Sequence, residues 1–281
     1  MPLRRHTGRA ASREDETFLL NGVMRQSKEK REICFWAVLF WLIVWQIFSI
    51  WIDSDILFVS PIKVLLRLSQ LACTKAFWKT ILFTLSRIAF GFLLAVLAGS
   101  VLAGLSSRYR RIFELMAPLM LTVKSVPVAS FIILALIWFS SKNLSILISF
   151  LMVLPIIYTN VLGGIRSVDR ALLEMAEVFR IPRMRVVRFI YLPQIMPFFY
   201  SACSVSLGLA WKAGVAAEVI GIPKGSVGEQ MQQAKVYLDT PDLFAWTLVV
   251  VLMSLAFEKI MLALVRRCAA CYSRREKGCV R

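Results

Sequence analysis

The sequence predicts an all-α, polytopic membrane protein with about six transmembrane helices, and three observations carry that prediction. The 281-residue chain is 58% hydrophobic with a mean hydropathy of +0.69, more apolar surface than a soluble domain of this size hides. Its apolar residues fall in six runs, each near the ~20 residues that a helix needs to cross a bilayer. Finally, 34 Lys and Arg against 17 Asp and Glu leave a formal net charge of +17, and the basic residues collect in alternate connections between the runs. That sorting points to membrane topology and lipid, not to nucleic acid.

Residues 1–33 are polar and mixed in charge, without a cleavable signal pattern, and are read as a cytoplasmic N-terminal extension. The runs are 34–52, 82–105, 115–139, 144–164, 198–220 and 243–265, which together define a transmembrane domain over 34–265. A basic cytoplasmic tail, 266–281, follows. Arg25, Lys28, Lys30 and Arg31 precede the first run; Arg108, Arg110 and Arg111 fill the second connection; Arg166, Arg170, Arg180, Arg183, Arg185 and Arg188 fill the fourth. The first, third and fifth connections are poorer in cations, so both termini are expected in the cytoplasm.

Ser60-Pro61 starts a helix, and Leu65, Leu68, Leu71 and Ala72 follow at helical spacing, which predicts an amphipathic helix on the outer surface. In the second run Gly91, Ala95, Gly99 and Ala103 form a small-residue stripe that lets another helix approach closely. Pro118, Lys124 and Pro127 interrupt the third run. The fifth carries Lys212 and Glu218.

Cys34, Cys73, Cys203, Cys268, Cys271 and Cys279 are scattered, several within apolar runs, and suggest packing and not a disulfide framework. Cys268-Ala-Ala-Cys271 has metal-like spacing, but a fourth ligand is missing and the one histidine is His6. A solvated basic tail is the better reading, and no metal is expected.

The fourth connection, 166–193, is too long and too patterned for a simple turn. Ser167 or Asp169 can cap a helix whose Leu172, Leu173, Ala176 and Phe179 share a face. Arg180-Ile181-Pro182 breaks it. A second short helix sets Arg183, Arg185 and Arg188 against Met184, Val187 and Ile190, and Pro193 and Pro197 lead into the fifth run. Such a helix–turn–helix can lie on lipid headgroups or plug into a groove on a soluble partner.

Here the residues resemble a known family. Glu174, Ala176, Ile190, Leu192 and Pro193 fall in register with the signature loop of bacterial ATP-binding-cassette (ABC) importer permeases, Glu-Ala-Ala, three residues, Gly, nine residues, Ile-x-Leu-Pro. Met175 replaces the middle alanine and Arg180 stands where the family has glycine; Pro182 is expected to supply the turn from the other side of the break. Thr84-Leu85-Ser86-Arg87 with Gly91-Phe92, Ser125-Val126-Pro127 and Ala217-Glu218 extend the resemblance over 60–265, closest to permeases of the nitrate, sulfonate and taurine type. The resemblance implies a type I ABC importer permease fold in a bacterial cytoplasmic (inner) membrane. It implies that 166–193 is a coupling loop docking on cytoplasmic ATPase subunits, which use the ATP and Mg²⁺; this chain would bind no cofactor. It also implies an extracytoplasmic solute-binding protein and a second permease subunit, expected to be an identical copy. By the same resemblance, Glu174 makes a polar contact with the ATPase, Ala176 allows close approach, and Ile190 to Pro193 anchors the loop to the fifth span.

Ionisable groups within a span are costly and are therefore functional candidates. Arg87 and Glu218 fall at similar depth, where an ion pair could shape an outer gate or serve structure alone. Trp211-Lys212 lies near the middle of the fifth run; Lys212 could meet an anionic substrate, or snorkel or pair with a neighbour. Lys124 and Ser125 complete the pathway candidates. Gly221-Ile222-Pro223-Lys224-Gly225-Ser226 has the residue types of a phosphate loop in the wrong order. No nucleophile–base pair is visible, so the chain is not expected to be an enzyme. The alternative function is an ion-gradient-driven secondary transporter, which would want a carboxylate-rich midplane or an internal repeat. The sequence has one Glu in the fifth run and no evident repeat.

Overall fold

The computed structural model describes residues 35–52 and 58–279, with side chains for 36–52, 58–265 and Arg267. The N-terminal extension with His6, Cys34, and the side chains of Cys268, Cys271 and Cys279 lie outside the described residues. The described segments are helical. Helix α1, Phe35–Ile52, is uncharged and apolar on every side, the pattern of a helix surrounded by apolar material. It is a unit by itself.

The second unit begins with α2, Pro61–Ala72. Its start follows the sequence reading: Ser60 is extended, its hydroxyl accepts the Lys63 amide at 3.4 Å, and Pro61 occupies the first turn. The inward face is Val64, Leu68 and Leu71; Leu65, expected on that face, is exposed. Arg67 donates to Asp242 across the chain, and that bond raises its pKa above the ordinary arginine value.

Helix α3, Lys75–Arg108, α6, Ser141–Arg166, and α9, Leu192–Gly221, make the core. The small-residue stripe explains how they meet. A Cβ on Gly91 would lie 2.5 Å from the Ile146 carbonyl oxygen, and one on Gly99 3.0 Å from Ile157. Gly214 serves the same purpose from α9, where a Cβ would come within 2.7 Å of both Ile88 and Ser149 Oγ. Without a hydrophobic drive between helices in lipid, such backbone approach is a main source of association.

The third apolar run is not one straight span. It is α4, Arg110–Ser125, and α5, Val128–Trp138, bent by 107°. Val126 is extended, as a residue before proline must be, and Pro127 cannot carry the hydrogen-bond ladder onward. Helices α3, α6, α11 (Thr240–Cys279) and the joined 183–221 segment are each long and apolar enough to cross a membrane, and the bent pair brings the number to five among the described residues. Helix α1 is the shorter apolar sixth.

The helix pair at 166–193 is α7, Arg170–Val178, and α8, Arg183–Val186. Helix α8 is no separate surface helix, as the proline spacing suggested. It runs through a π turn, Val187–Tyr191, directly into α9, a continuous 39-residue rod from Arg183 to Gly221. Pro193 has no N–H for the Phe189 carbonyl, and the ladder widens so that the Leu192 amide reaches Val187 five residues back. Past Gly221, Ile222 turns left-handed (φ 46°) and the chain doubles back as α10, Val227–Val236, before α11, Thr240–Cys279.

Candidate functional site

The corner between α7 and α8 is built from its termini. Asp169 Oδ1 accepts the Ala171 amide at 2.9 Å, capping α7, and the Asp169 amide donates to Gln194 Oε1 at 3.3 Å, tying α7 to α9. At the other end the Ile181 amide donates to Ala176 O and the Arg180 amide to Glu177 O, both at 2.9 Å, with Arg180 left-handed at φ 50°. These are the two bonds of a Schellman cap. The turn is therefore made by Arg180 itself, in the conformation a glycine would take. Pro182 starts α8 and does not supply the turn.

Ala176 is 3% exposed and packs with Val168 and Ile190, flanked by Leu173, Ile181 and Val186. Its small size permits a close approach inside the corner, between α7 and the π turn, and not to an outside surface. Glu174, Arg180, Pro182, Leu192 and Pro193 are exposed. Beside them Val178, Phe179 and Met184 stand 78%, 73% and 82% exposed. A concavity of about 440 Å³ opens there, lined by Phe179, Arg180, Ile181, Pro182, Arg185 and Phe189 among others. Large apolar side chains with flanking cations thus stand exposed together at the corner instead of entering a core.

The pathway candidates separate into three places. Trp211 is 2% exposed, its ring edge-on to Phe257 at 5.9 Å. Its neighbour Lys212, about 100° further round the helix, is exposed on a stripe of α9 with Val205 and Leu209. Lys124 lies at the elbow of α4 and α5, its Nζ 3.5 Å from Thr159 Oγ1, and the Ser125 hydroxyl donates back to Leu121 O at 2.9 Å. Arg87 and Glu218 are near one another but form no ion pair. The Arg87 guanidinium stacks on Phe83 at 4.2 Å, while Glu218 is fully buried and accepts from Thr84 Oγ1 at 2.7 Å. Thr84 in turn accepts the Val227 amide at 3.0 Å.

Residues 91–270, which include the corner, the elbow and the Glu218 neighbourhood, match the family model for the binding-protein-dependent transport system inner membrane component. The chain belongs to that family. As a binding-protein-dependent permease it is 28% identical to the taurine transport system permease protein TauC of Escherichia coli (strain K12), over 79% of this chain and 83% of TauC. It is also 28% identical to a Bacillus subtilis (strain 168) protein assigned as the aliphatic sulfonates transport permease SsuC, over 72% and 74% of the two chains. An amino acid ABC transporter crystallised with histidines shares the fold, with a TM-score of 0.53 at 17% identity, covering 74% of this chain and 97% of that one. The protein is accordingly a multi-pass permease subunit of an ABC importer.

For this permease the family motif and the structure identify the same corner, but sequence reasoning missed two groups. Thr84 was part of a resembling motif without a role, and α10 had no helix assigned. The Ser226-x-x-Glu229 capping pattern was the available signal: Ser226 Oγ accepts the Glu229 amide at 3.0 Å, and Glu229 Oε2 accepts the Gly225 amide at 2.6 Å.

Proposed function

We propose that this permease imports a small anion, of the organic sulfonate, taurine or nitrate class, handed over by an extracytoplasmic binding protein. The 166–193 loop would receive the motion of cytoplasmic ATPase subunits that use ATP and Mg²⁺. The observation that carries the reading is mechanical. The exposed apolar corner at Phe179 and Met184 leads into α9 through one helix that runs unbroken from Arg183 to Gly221, through the π turn and past Pro193 and Pro197. A push at the corner thus becomes a displacement of α9, where a flexible turn would absorb it.

Lys212 is the residue for the cargo's charge. It stands on the exposed face of α9, where a second copy of this chain would meet it across a shared pathway, and a cation held there attracts an anion strongly. Lys124 and Ser125, at the α4–α5 elbow, are the second polar element of that pathway. The cargoes for which TauC and SsuC are named support an anion with a sulfonate group. The cation-rich connections, the 166–193 loop among them, lie on the cytoplasmic side in this reading, with both termini and the 266–281 tail. The Gly221 end of α9, with α10, then faces outward.

The test is purification of the full chain from its own membranes in mild detergent, with the co-purifying proteins identified by mass spectrometry. Recovery of an ABC ATPase that is lost on Phe179→Asp or Met184→Asp supports the corner as its dock. Equal recovery with either charged variant removes the corner from the interface.

A further inference from the structure

We propose that Glu218 and Thr84 are positioning residues that fasten the N-terminus of α10 between α3 and α9, making α10 a tethered gate at the outward end of the permease. The proposal rests on the permease reading and assigns a role to a cluster which that reading leaves unused.

A carboxylate with no exposed surface and no cation in contact is costly to keep. Packing alone would favour an apolar side chain here, so the carboxyl group needs another reason. The first turn of α10 supplies it. That turn has orphan amides and the positive end of the helix dipole, and two of its amides find side-chain acceptors. Val227 N–H donates to Thr84 Oγ1, whose own proton goes to Glu218 Oε2, and Glu229 N–H donates to Ser226 Oγ. The Gly228 amide lies beside the Glu218 carboxylate, as does the Ser145 hydroxyl. One threonine hydroxyl thereby links three helices.

The fit requires glycine at 228. A Cβ there would lie 2.4 Å from Glu218 Cβ and 2.5 Å from the Val219 amide nitrogen, so α10 rests directly on the α9 backbone. Beyond this attachment α10 packs on α11, with Val227 buried beside Trp246 and Val249 and Met231 against the same cluster. It is a ten-residue helix, too short to persist alone. It turns Val227 and Ala234 inward and ends at Tyr237 and Leu238, 80% and 69% exposed. Because α9 is also the rod leading from the α7–α8 corner, a shift of α9 carries Glu218 with it and acts on the latch.

The test compares Thr84→Val, Thr84→Ser, Glu218→Gln and Gly228→Ala in the full chain, using amide hydrogen exchange. Valine keeps the shape of threonine and removes the relay; serine keeps the relay. Loss of one such bond accelerates exchange in 227–236 by roughly three- to tenfold, with α3, α6 and α9 unchanged and Thr84→Ser matching the parent. Gly228→Ala gives the same local opening by sterics alone. In the complex with its ATPase, the opened variants hydrolyse ATP faster than the parent without binding protein. Parental exchange in α10, opening spread equally over α3, α6 and α9, or unchanged basal hydrolysis despite local opening overturns the gate. Exchange is read on the permease itself, so its failure is separate from a loss of ATP-driven uptake, which would strike the permease reading instead.

Discussion

Replacing Arg180 with glycine should tighten the α7–α8 corner. Arg180 is left-handed at φ 50° and closes a Schellman cap through its own amide and that of Ile181. A left-handed L-residue costs about 1–2 kcal/mol relative to its preferred conformations. Glycine avoids that cost but gives up about 0.5–1 kcal/mol more backbone entropy on ordering. The side chain itself is exposed, so little packing is lost. The difference, about 0.5–1 kcal/mol in favour of glycine, corresponds to roughly two- to fivefold slower local opening. Hydrogen exchange of the Arg180 and Ile181 amides in Arg180→Gly, Arg180→Ala and Arg180→Val reads this directly. Alanine should be close to the parent, since it keeps the left-handed strain, and β-branched valine should open faster. Pro182→Ala should leave these two amides nearly unaffected. If glycine opens faster than arginine, or Pro182→Ala opens the corner as far as Arg180→Val, the assignment of the turn to Arg180 is wrong.

Three further outcomes follow from named contacts. Gly91→Ala places a methyl 2.5 Å from the Ile146 carbonyl oxygen and should destabilise by about 1–3 kcal/mol, seen as a lower melting temperature in detergent; Gly104→Ala, with nothing within 4 Å, should be neutral. Asp169→Ala removes the α7 cap at Ala171 and should cost about 1 kcal/mol, confined to exchange in the first turn of α7. Lys212→Gln should raise the half-saturating cargo concentration for binding-protein-driven uptake while leaving basal ATP hydrolysis intact; an unchanged uptake curve would remove Lys212 from the cargo's path.

The apolar runs made most of the helices legible, because a spanning helix needs only length and composition. The glycine and alanine stripe on α3 was legible for the same local reason, and Gly91 and Gly99 do take the close contacts it implied. What escaped was angular and tertiary. Val126-Pro127 announced a break, but a break does not state its angle, and the two halves stand at 107°. Trp211 and Lys212 read as one site, yet neighbours on a helix point about 100° apart, and one went to the core and the other to the exposed face. Arg87 and Glu218 matched in depth and in sign, but burial gave Glu218 to Thr84 and left Arg87 on Phe83. At the corner, motif register located the loop. It could not reveal that Ala176 faces inward, or that the Pro193 ladder defect becomes a π turn and not a break.

In the proposed function ATP, acting through the α7–α8 corner, drives import. That role is tested most directly by uptake of labelled taurine or another sulfonate into proteoliposomes holding the permease with its ATPase and binding protein, with ATP supplied on the ATPase side and ion gradients collapsed by ionophores. Accumulation should need ATP, survive collapse of the gradients and be lost in Phe179→Asp. Uptake that proceeds without ATP and stops when the gradients collapse would contradict it and point to a gradient-driven transporter.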